Sequence, residues 1–406
     1  MRFWVLAVGA VCGATTAGSA AAQQSLPAVQ QERQLDFGVR AETTYDNNAA
    51  RGTRALAQQR AVAREDVVFQ PTVTADVTQP FGSHIVFLHG EAGYDFHREN
   101  DQLDRGRADI YGGYTTAVGP CQPTAMAAYR AAQSDLQDAD ALTIDNLLQS
   151  TTTTLSLQCQ QGVGLGASAL VSRTETKNSA TLRKTSDSTT EAASLSLVYG
   201  NATLGQAALI WNYTNTEFPN RIIPGRPVGD GFFTTSYGAS YQRNFGPRIS
   251  VGGQVQRTTV KREFAPPGVD AKFTSTTYGA NASYRLGTRI QLQANAGRSV
   301  KPSNRPGKVY DIATTGEMVA SYRLGSRYNV SLGHRIDDIE SNVDLPPGAR
   351  PVVTDSRSNT TFGAIRYAQS DRVTWTLDAA YEDRKTNLPD FNYNSTRVSL
   401  AVAVGF

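Results

Sequence analysis

The chain has 406 residues, with 39 basic and 36 acidic side chains, 35 glycines, 17 tyrosines and 3 cysteines. A formal net charge of +3 gives no argument for a nucleic-acid partner. A mean hydropathy of −0.36, with no apolar run near the length of a spanning helix after the first residues, excludes a helical membrane bundle. It does not exclude a membrane barrel, in which only alternate residues face lipid.

Arg2, the apolar run from Phe3 to Cys12 and the small residues Ala20, Ala21 and Ala22 predict a secretory signal peptide over 1–22, cleaved before Gln23. Acylation of Cys12 is the alternative, and Val11 is a poor residue to precede it. Residues 23–34 are polar and unpatterned, a short periplasmic tail ahead of a barrel over 35–406. The first strand then puts Leu35, Phe37, Val39, Ala41, Thr43 and Tyr45 on one face and Asp36, Arg40 and Glu42 on the other. Tyr45-Asp46-Asn47-Asn48 ends it, and an Ala- and Arg-containing loop to Glu65 has room for a short helix. Val67, Phe69, Pro71, Val73, Ala75 and Val77 return, and Pro71 predicts a bulge because it has no amide proton for the ladder. The next strand sets Glu91, Asp95 and His97 against Leu88, Ala92, Tyr94 and Phe96.

Short turns near 119–121, 159–162, 200–201, 244–247, 286–288, 324–326 and 369–371 alternate with long polar loops near 133–146, 174–190, 215–231, 261–274, 300–309, 337–356 and 384–392. Connections sorted in this way predict an all-β fold, a transmembrane antiparallel up-and-down β-barrel with short periplasmic turns and longer extracellular loops. The count is about 18 strands, with about 16 as the alternative. A hairpin motif recurs as Tyr284-Arg285-Leu286-Gly287-Thr288-Arg289 and Tyr322-Arg323-Leu324-Gly325-Ser326-Arg327, with looser copies at Tyr241 and Tyr367. These tyrosines and Tyr199 share parity with the apolar face and predict one aromatic rim; Tyr45, Phe96, Trp211, Tyr213, Tyr278 and Tyr381 predict the other.

Arg248, Arg285, Arg289, Arg323, Arg327, Arg366 and Arg372 lie beside short turns with the opposite parity. They are expected to ring the periplasmic mouth, where they would concentrate an anionic solute. The plainer reading is that they flank turns, reach the interface and pair with acidic neighbours. Cys121 opens one strand and Cys159 ends the next, so the two should face each other at the foot of one hairpin and form a disulfide; free thiols are the rival. Inside the wall, parity points Arg40, Glu42, Asp76, Glu91, Asp95, Arg107, Asp109, Glu317, Arg335, Asp337, Asp378, Glu382 and Arg397 inward, with Phe87 and Tyr111 as inward aromatics. Mixed signs of this kind are usually salt-bridge networks lining water.

A catalytic reading has little to stand on. Of 4 histidines, only His97 with Asp95 and His334 with Asp337 are rim candidates, and neither has a nucleophile at a useful spacing. Gly162-Val163-Gly164-Leu165-Gly166 opens an alternating strand instead of a helix, so it is wall and not a nucleotide loop. The pattern calls for no cofactor and no metal. The last strand carries Thr396, Val398, Leu400, Val402 and Val404 on one face and ends on Phe406, the terminal aromatic that the barrel assembly machinery reads in bacterial outer-membrane barrels.

Several stretches together resemble the beta-barrel porin 2 family of outer-membrane proteins over most of the mature chain. They are Tyr45-Asp46-Asn47-Asn48, the run Arg64 to Pro71, Pro80-Phe81-Gly82-Ser83-His84, Gly93 to Phe96 and Cys121-Gln122-Pro123, with the repeated hairpins. The resemblance implies a barrel linked to exopolysaccharide synthesis and export, with outer-membrane lipid, anionic polysaccharide and its export apparatus as partners. It brings no catalytic residues. The expectation is a passive conduit in the bacterial outer membrane, with a general diffusion porin for small solutes, or a structural or adhesin-like barrel, as alternatives.

Overall fold

Period-two alternation of apolar with small or polar residues builds nearly the whole protein from strands, as a computed structural model shows. The described residues are 32–134, 145–159, 163–222, 229–264, 271–305, 308–343 and 352–406. The expected signal peptide and most of the tail lie outside them. In chain order the strands begin with β1 Gln34–Asp46, β2 Asp66–Phe81, β3 His84–His97, β4 Arg105–Thr116, β5 Cys121–Gln133 and β6 Leu147–Cys159. They continue with β7 Gly164–Asn178, β8 Ser188–Asn201, β9 Gly205–Ile222, β10 Gly229–Phe245, β11 Ile249–Arg262 and β12 Lys272–Leu286. The last are β13 Ile290–Pro302, β14 Lys308–Leu324, β15 Tyr328–Val343, β16 Asp355–Ala368, β17 Val373–Thr386 and β18 Tyr393–Gly405.

Each strand pairs antiparallel with its neighbour in sequence, and β1 also pairs with β18 from Gly38↔Gly405 to Asp46↔Arg397, so the 18-stranded sheet closes on itself. Tracing paired residues once around the wall returns to β1 displaced by about 22 residues. With ordinary strand spacing and rise, that stagger corresponds to a tilt of roughly 40° and a backbone radius of about 18 Å. A cylinder this wide cannot be filled by the side chains of its own wall.

The outer face is apolar in a band. Tyr199, Tyr241, Tyr284 and Tyr322 are exposed at the short-turn end, where Tyr328 and Tyr367 also stack at 4.7 Å. Tyr45, Phe96, Trp211, Tyr278 and Tyr381 are exposed at the other end, with Val255, Leu292, Leu332 and Leu377 between. Such a surface is stable against lipid and not against water. At the short-turn end, Gly287 and Gly325 of the repeated motif take φ values of 64° and 66°, a left-handed conformation that a side chain would resist.

Two expectations change. The ladders continue past the upper aromatic rim, so β7 runs to Asn178, β9 to Ile222 and β15 to Val343, and the extracellular connections are shorter than the polarity suggests. Alternating Thr and charged residues pair as well in water as apolar ones do in lipid. At Pro71 no bulge forms. Gln70 and Pro71 have no ladder partners on β3, yet the register on either side, Phe69↔Phe96 and Thr72↔Gly93, does not slip. Gly93 permits this, because a Cβ there would sit 2.5 Å from the Pro71 carbonyl oxygen.

The expected short helix is present as α1, Arg54–Gln59, capped by Thr53, whose hydroxyl accepts from the Leu56 amide at 3.3 Å. Its segment packs Ala50, Ala57 and Val62 against Leu103 and caps the seam. There Arg51 meets Asp46 at 2.5 Å and donates to Ser395 of β18 at 2.8 Å.

Candidate functional site

The lumen has two unlike walls. The arc from β15 through β18 to β4 carries most of the lumen's charge, and several of its cations are paired with acids. Arg40 meets Glu42 at 2.5 Å, Arg107 meets Asp95 at 3.3 Å, Arg335 meets Asp337 at 2.6 Å and Arg397 meets Glu382 at 3.7 Å. His89 bonds Asp76 and packs against Tyr111, with ring centroids 4.9 Å apart. On β8 to β13 the inward positions are amides and hydroxyls. The Ser194 hydroxyl donates to Asn212 Oδ1 at 2.8 Å, and Asn212 Nδ2 donates to the Ser236 hydroxyl at 3.1 Å and to Gln256 Oε1 at 3.3 Å. One wall thus offers fixed charges of both signs, and the other a row of neutral donors and acceptors.

The lumen is also narrowed from above. β12 pairs with β13 only up to Tyr278↔Arg298, whereas β13 and β14 stay paired to Pro302↔Tyr310. Freed from β12, the top of this hairpin turns inward. Val300 and Val309 are buried in one cluster with Phe218, Phe232 and Val260 from the inner faces of β9, β10 and β11. Tyr310 stacks on Phe273 of β12, ring centroids 4.0 Å apart and planes 15° apart. A cluster of buried charge locks the arrangement. Asp230, 2% exposed, holds Arg262 at 3.0 Å and Arg221 at 3.6 Å. Arg221 lies 3.8 Å over the Phe218 ring and donates to the Ser303 carbonyl of the hairpin at 3.3 Å. Burial lowers the Arg221 guanidinium to about 10 despite Asp230, so it is charged at neutral pH. Beneath the hairpin is a cavity of about 630 Å³ walled by the amide side, including Asn212, Gln254, Asn281 and Asn295.

Arg248, Arg285, Arg289, Arg323, Arg327, Arg366 and Arg372 all lie at the short-turn end, on the arc from β11 to β17. Arg285, Arg323 and Arg366 take inward positions on their strands. Arg248 and Arg289 fall on turns whose carbonyls accept from the amides of Arg285 and Arg323, at 2.8 Å each. At the foot of the β5–β6 hairpin, Cys121 and Cys159 are paired in register and joined by a disulfide. Phe406, 71% exposed, ends the seam with its amide bonded to the Phe37 carbonyl at 2.8 Å.

The histidine pairs do not assemble. His97 turns to Asp104 at 3.3 Å instead of Asp95, and His334 lies on the outer face bonded to Thr361 at 3.0 Å, across the wall from Asp337. Sequence reading missed the inward hairpin, its Arg221–Asp230–Arg262 lock and Phe362, whose ring lies over Gly333 inside the lumen. Val300, Val309 and Ile312 flanking a Pro- and Gly-containing tip were the available signal, since a solvent loop has no need of them.

No protein-family model matches the chain, and no curated protein matches it. The likeness to the beta-barrel porin 2 family therefore stays a resemblance of motifs, and the exopolysaccharide link that came with it gains no support. Among solved structures, the chain is similar to Pseudomonas aeruginosa OccK2 (OpdF), with TM-score 0.51, 11% identity and 93% of this chain and 99% of that chain covered. The same protein in complex with glucuronate gives TM-score 0.50, 11% identity and the same coverage. The outer-membrane protein OpdK of that organism gives 0.49, 10% identity and coverage of 92% and 98%. At such identities the likeness is one of fold.

Proposed function

We propose that the protein is an outer-membrane channel for small hydrophilic solutes. The observation that carries this reading is the lumen, lined mostly by polar side chains and partly filled by the inward hairpin, with a cavity of about 630 Å³ beneath it. That space suits a molecule of sugar size. The seated hairpin takes up part of the passage, so the diffusion-channel reading is preferred to a polysaccharide conduit. The charged wall, in which acids outnumber arginines, favours a polar solute that is neutral or cationic, and the opposite row of amides suits hydroxyl groups. OccK2 has been solved with glucuronate, which makes a sugar acid a sensible solute to try beside neutral sugars.

The test is osmotic swelling of proteoliposomes carrying the refolded barrel, with neutral sugars and sugar acids of rising size, beside single-channel recording. Swelling with monosaccharides that falls off steeply for oligosaccharides is expected. Absence of both swelling and conductance steps from folded protein would overturn the proposal.

A further inference from the structure

Above the upper aromatic rim the outer wall turns polar, and its charges are not balanced alike around the barrel. On β7 and β8 outward cations are met by acids, with Arg173 at 3.1 Å from Glu175 and 3.5 Å from Glu191, and Lys177 at 3.5 Å from Glu175. On β15 and β16, Asp338 stands directly opposite Arg357. On β11 to β13 the outer face carries Arg257, Lys261, Lys272 and Arg298, and none of the four makes an ion pair with another described residue.

Register fixes their places. Lys261 is directly opposite Lys272, Arg257 is opposite Thr276, and Arg298 is opposite Tyr278. Between the lysines and Arg257 the hydroxyls of Thr259 and Thr274 meet at 3.1 Å. That this is the outer face follows from the alternate residues, since Val260 and Phe273 belong to the cluster inside the lumen. Because the strands tilt, each step along the ladder also climbs, so Arg257 and Arg298 come to nearly one height with Thr276 between them. Two strand spacings and a two-residue offset along the ladder put their backbones about 12 Å apart. Below lie Tyr237, Val255 and Tyr278, all exposed. Lysines placed directly opposite one another repel. An anion held between them relieves that repulsion.

We propose that this patch binds the phosphorylated sugar headgroup of an outer-leaflet glycolipid. Its acyl chains would lie along Tyr237, Val255 and Tyr278, and its phosphates against Arg257 and Arg298, whose planar guanidinium groups match phosphate oxygens in pairs. Lys261 and Lys272, two pleat repeats higher, would meet the anionic groups further from the acyl chains. The inference rests on reading the outer wall as lipid-facing and is independent of what passes through the lumen.

The test uses the full-length folded barrel in detergent with bisphosphorylated lipid A, dephosphorylated lipid A and inorganic phosphate as separate probes, bound lipid being counted by native mass spectrometry. The wild-type barrel should retain lipid A, and Arg257→Ala/Arg298→Ala and Lys261→Ala/Lys272→Ala should each weaken retention by roughly tenfold or more. Arg173→Ala, which removes a cation already paired with acids, should leave it unchanged. Unaltered heat-modifiable gel mobility shows that each variant is folded. Equal retention by wild type and both double variants would overturn the proposal. So would equal retention of the dephosphorylated lipid, or displacement of lipid A by millimolar inorganic phosphate, which would mark a plain anion site. A barrel that conducts solutes but fails these tests sinks this inference alone.

Discussion

Replacing Asp230 by Asn should open the channel. Asp230 is 2% exposed and stands between two guanidinium groups, holding Arg262 through bonds of 3.0 and 3.1 Å and Arg221 at 3.6 Å. The amide keeps the shape and removes the charge, leaving Arg221 and Arg262 to repel across a buried site. Breaking a buried ion pair from one side costs about 3–5 kcal/mol. Because the ladders of the lower barrel do not depend on this cluster, the cost falls on the seated hairpin through the Arg221 bond to Ser303. It should raise the open fraction by roughly two to nearly four orders of magnitude, at about 1.4 kcal/mol per factor of ten.

Two measurements read it. Single-channel conductance should rise as the hairpin leaves the lumen, and amide exchange over 299–312 should accelerate while that of β16 to β18 stays put. Arg221, lowered to about 10 by burial, keeps its charge at neutral pH, so the effect should not vary between about pH 6 and pH 8 on its account. Unchanged conductance together with unchanged exchange in folded Asp230→Asn protein would refute the reasoning.

Four further outcomes are expected. Burial lowers the Lys301 ammonium, opposed by Asp311 across the ladder. Between that lowered value and the ordinary 10.5 the unseated hairpin holds more protons, so seating strengthens as pH rises through the window and the open probability in bilayers should fall there; a rise would contradict the sign. Changing Arg285, Arg323 and Arg366 together to Gln should move the reversal potential in a salt gradient toward cations, and an unmoved potential would assign these arginines to the turns alone. Cys121→Ser/Cys159→Ser opens a cross-link spanning 38 residues and should lower unfolding stability by about 4 kcal/mol in the chain-entropy model, read as an earlier urea midpoint. Gly333→Ala would put a Cβ 2.3 Å from the Phe362 ring, so that ring must swing into the lumen and conductance should drop, whereas Phe362→Ala should raise it.

The wall was legible because a strand repeats every two residues and lipid rewards only one of the two faces. Leu35 to Tyr45, the tyrosines beside the short turns and the opposition of Cys121 to Cys159 all follow from counting by twos. Counting also gives the strand number, because a barrel needs a return for every ascent. The method loses force above the upper rim, where both faces are wet and Thr-rich ladders look like loops, so β9 and β15 run further than polarity suggests. It misleads at Val300, whose parity points to lipid, because β13 has by then parted from β12 and turned inward. Pairings across the lumen were out of reach for another reason. His334 and Asp337 are three apart, so parity alone puts them on opposite faces, but nothing in the sequence brings Arg221 to Asp230 and Ser303.

The hairpin and the two lumen walls together constrain what can pass. The hairpin rests on the inner face of β9 to β12, above the amide row, so the open side of the passage runs along the charged wall. There Arg40, Arg107, Arg335 and Arg397 each stand beside an acid, but Glu91 lies opposite Asp109 and Asp378 faces the same lumen, so the wall is a row of local dipoles with a net acidic balance. Such a wall favours cations modestly, and it exchanges water readily for a solute that can hydrogen-bond as water does. Selection by overall charge is then set by this acidic balance against the arginines of the short-turn end, and selection by size by the hairpin. A solute able to bridge the two walls beneath it would gain from both, which favours a compact polyhydroxylated molecule over a long chain confined to the open side.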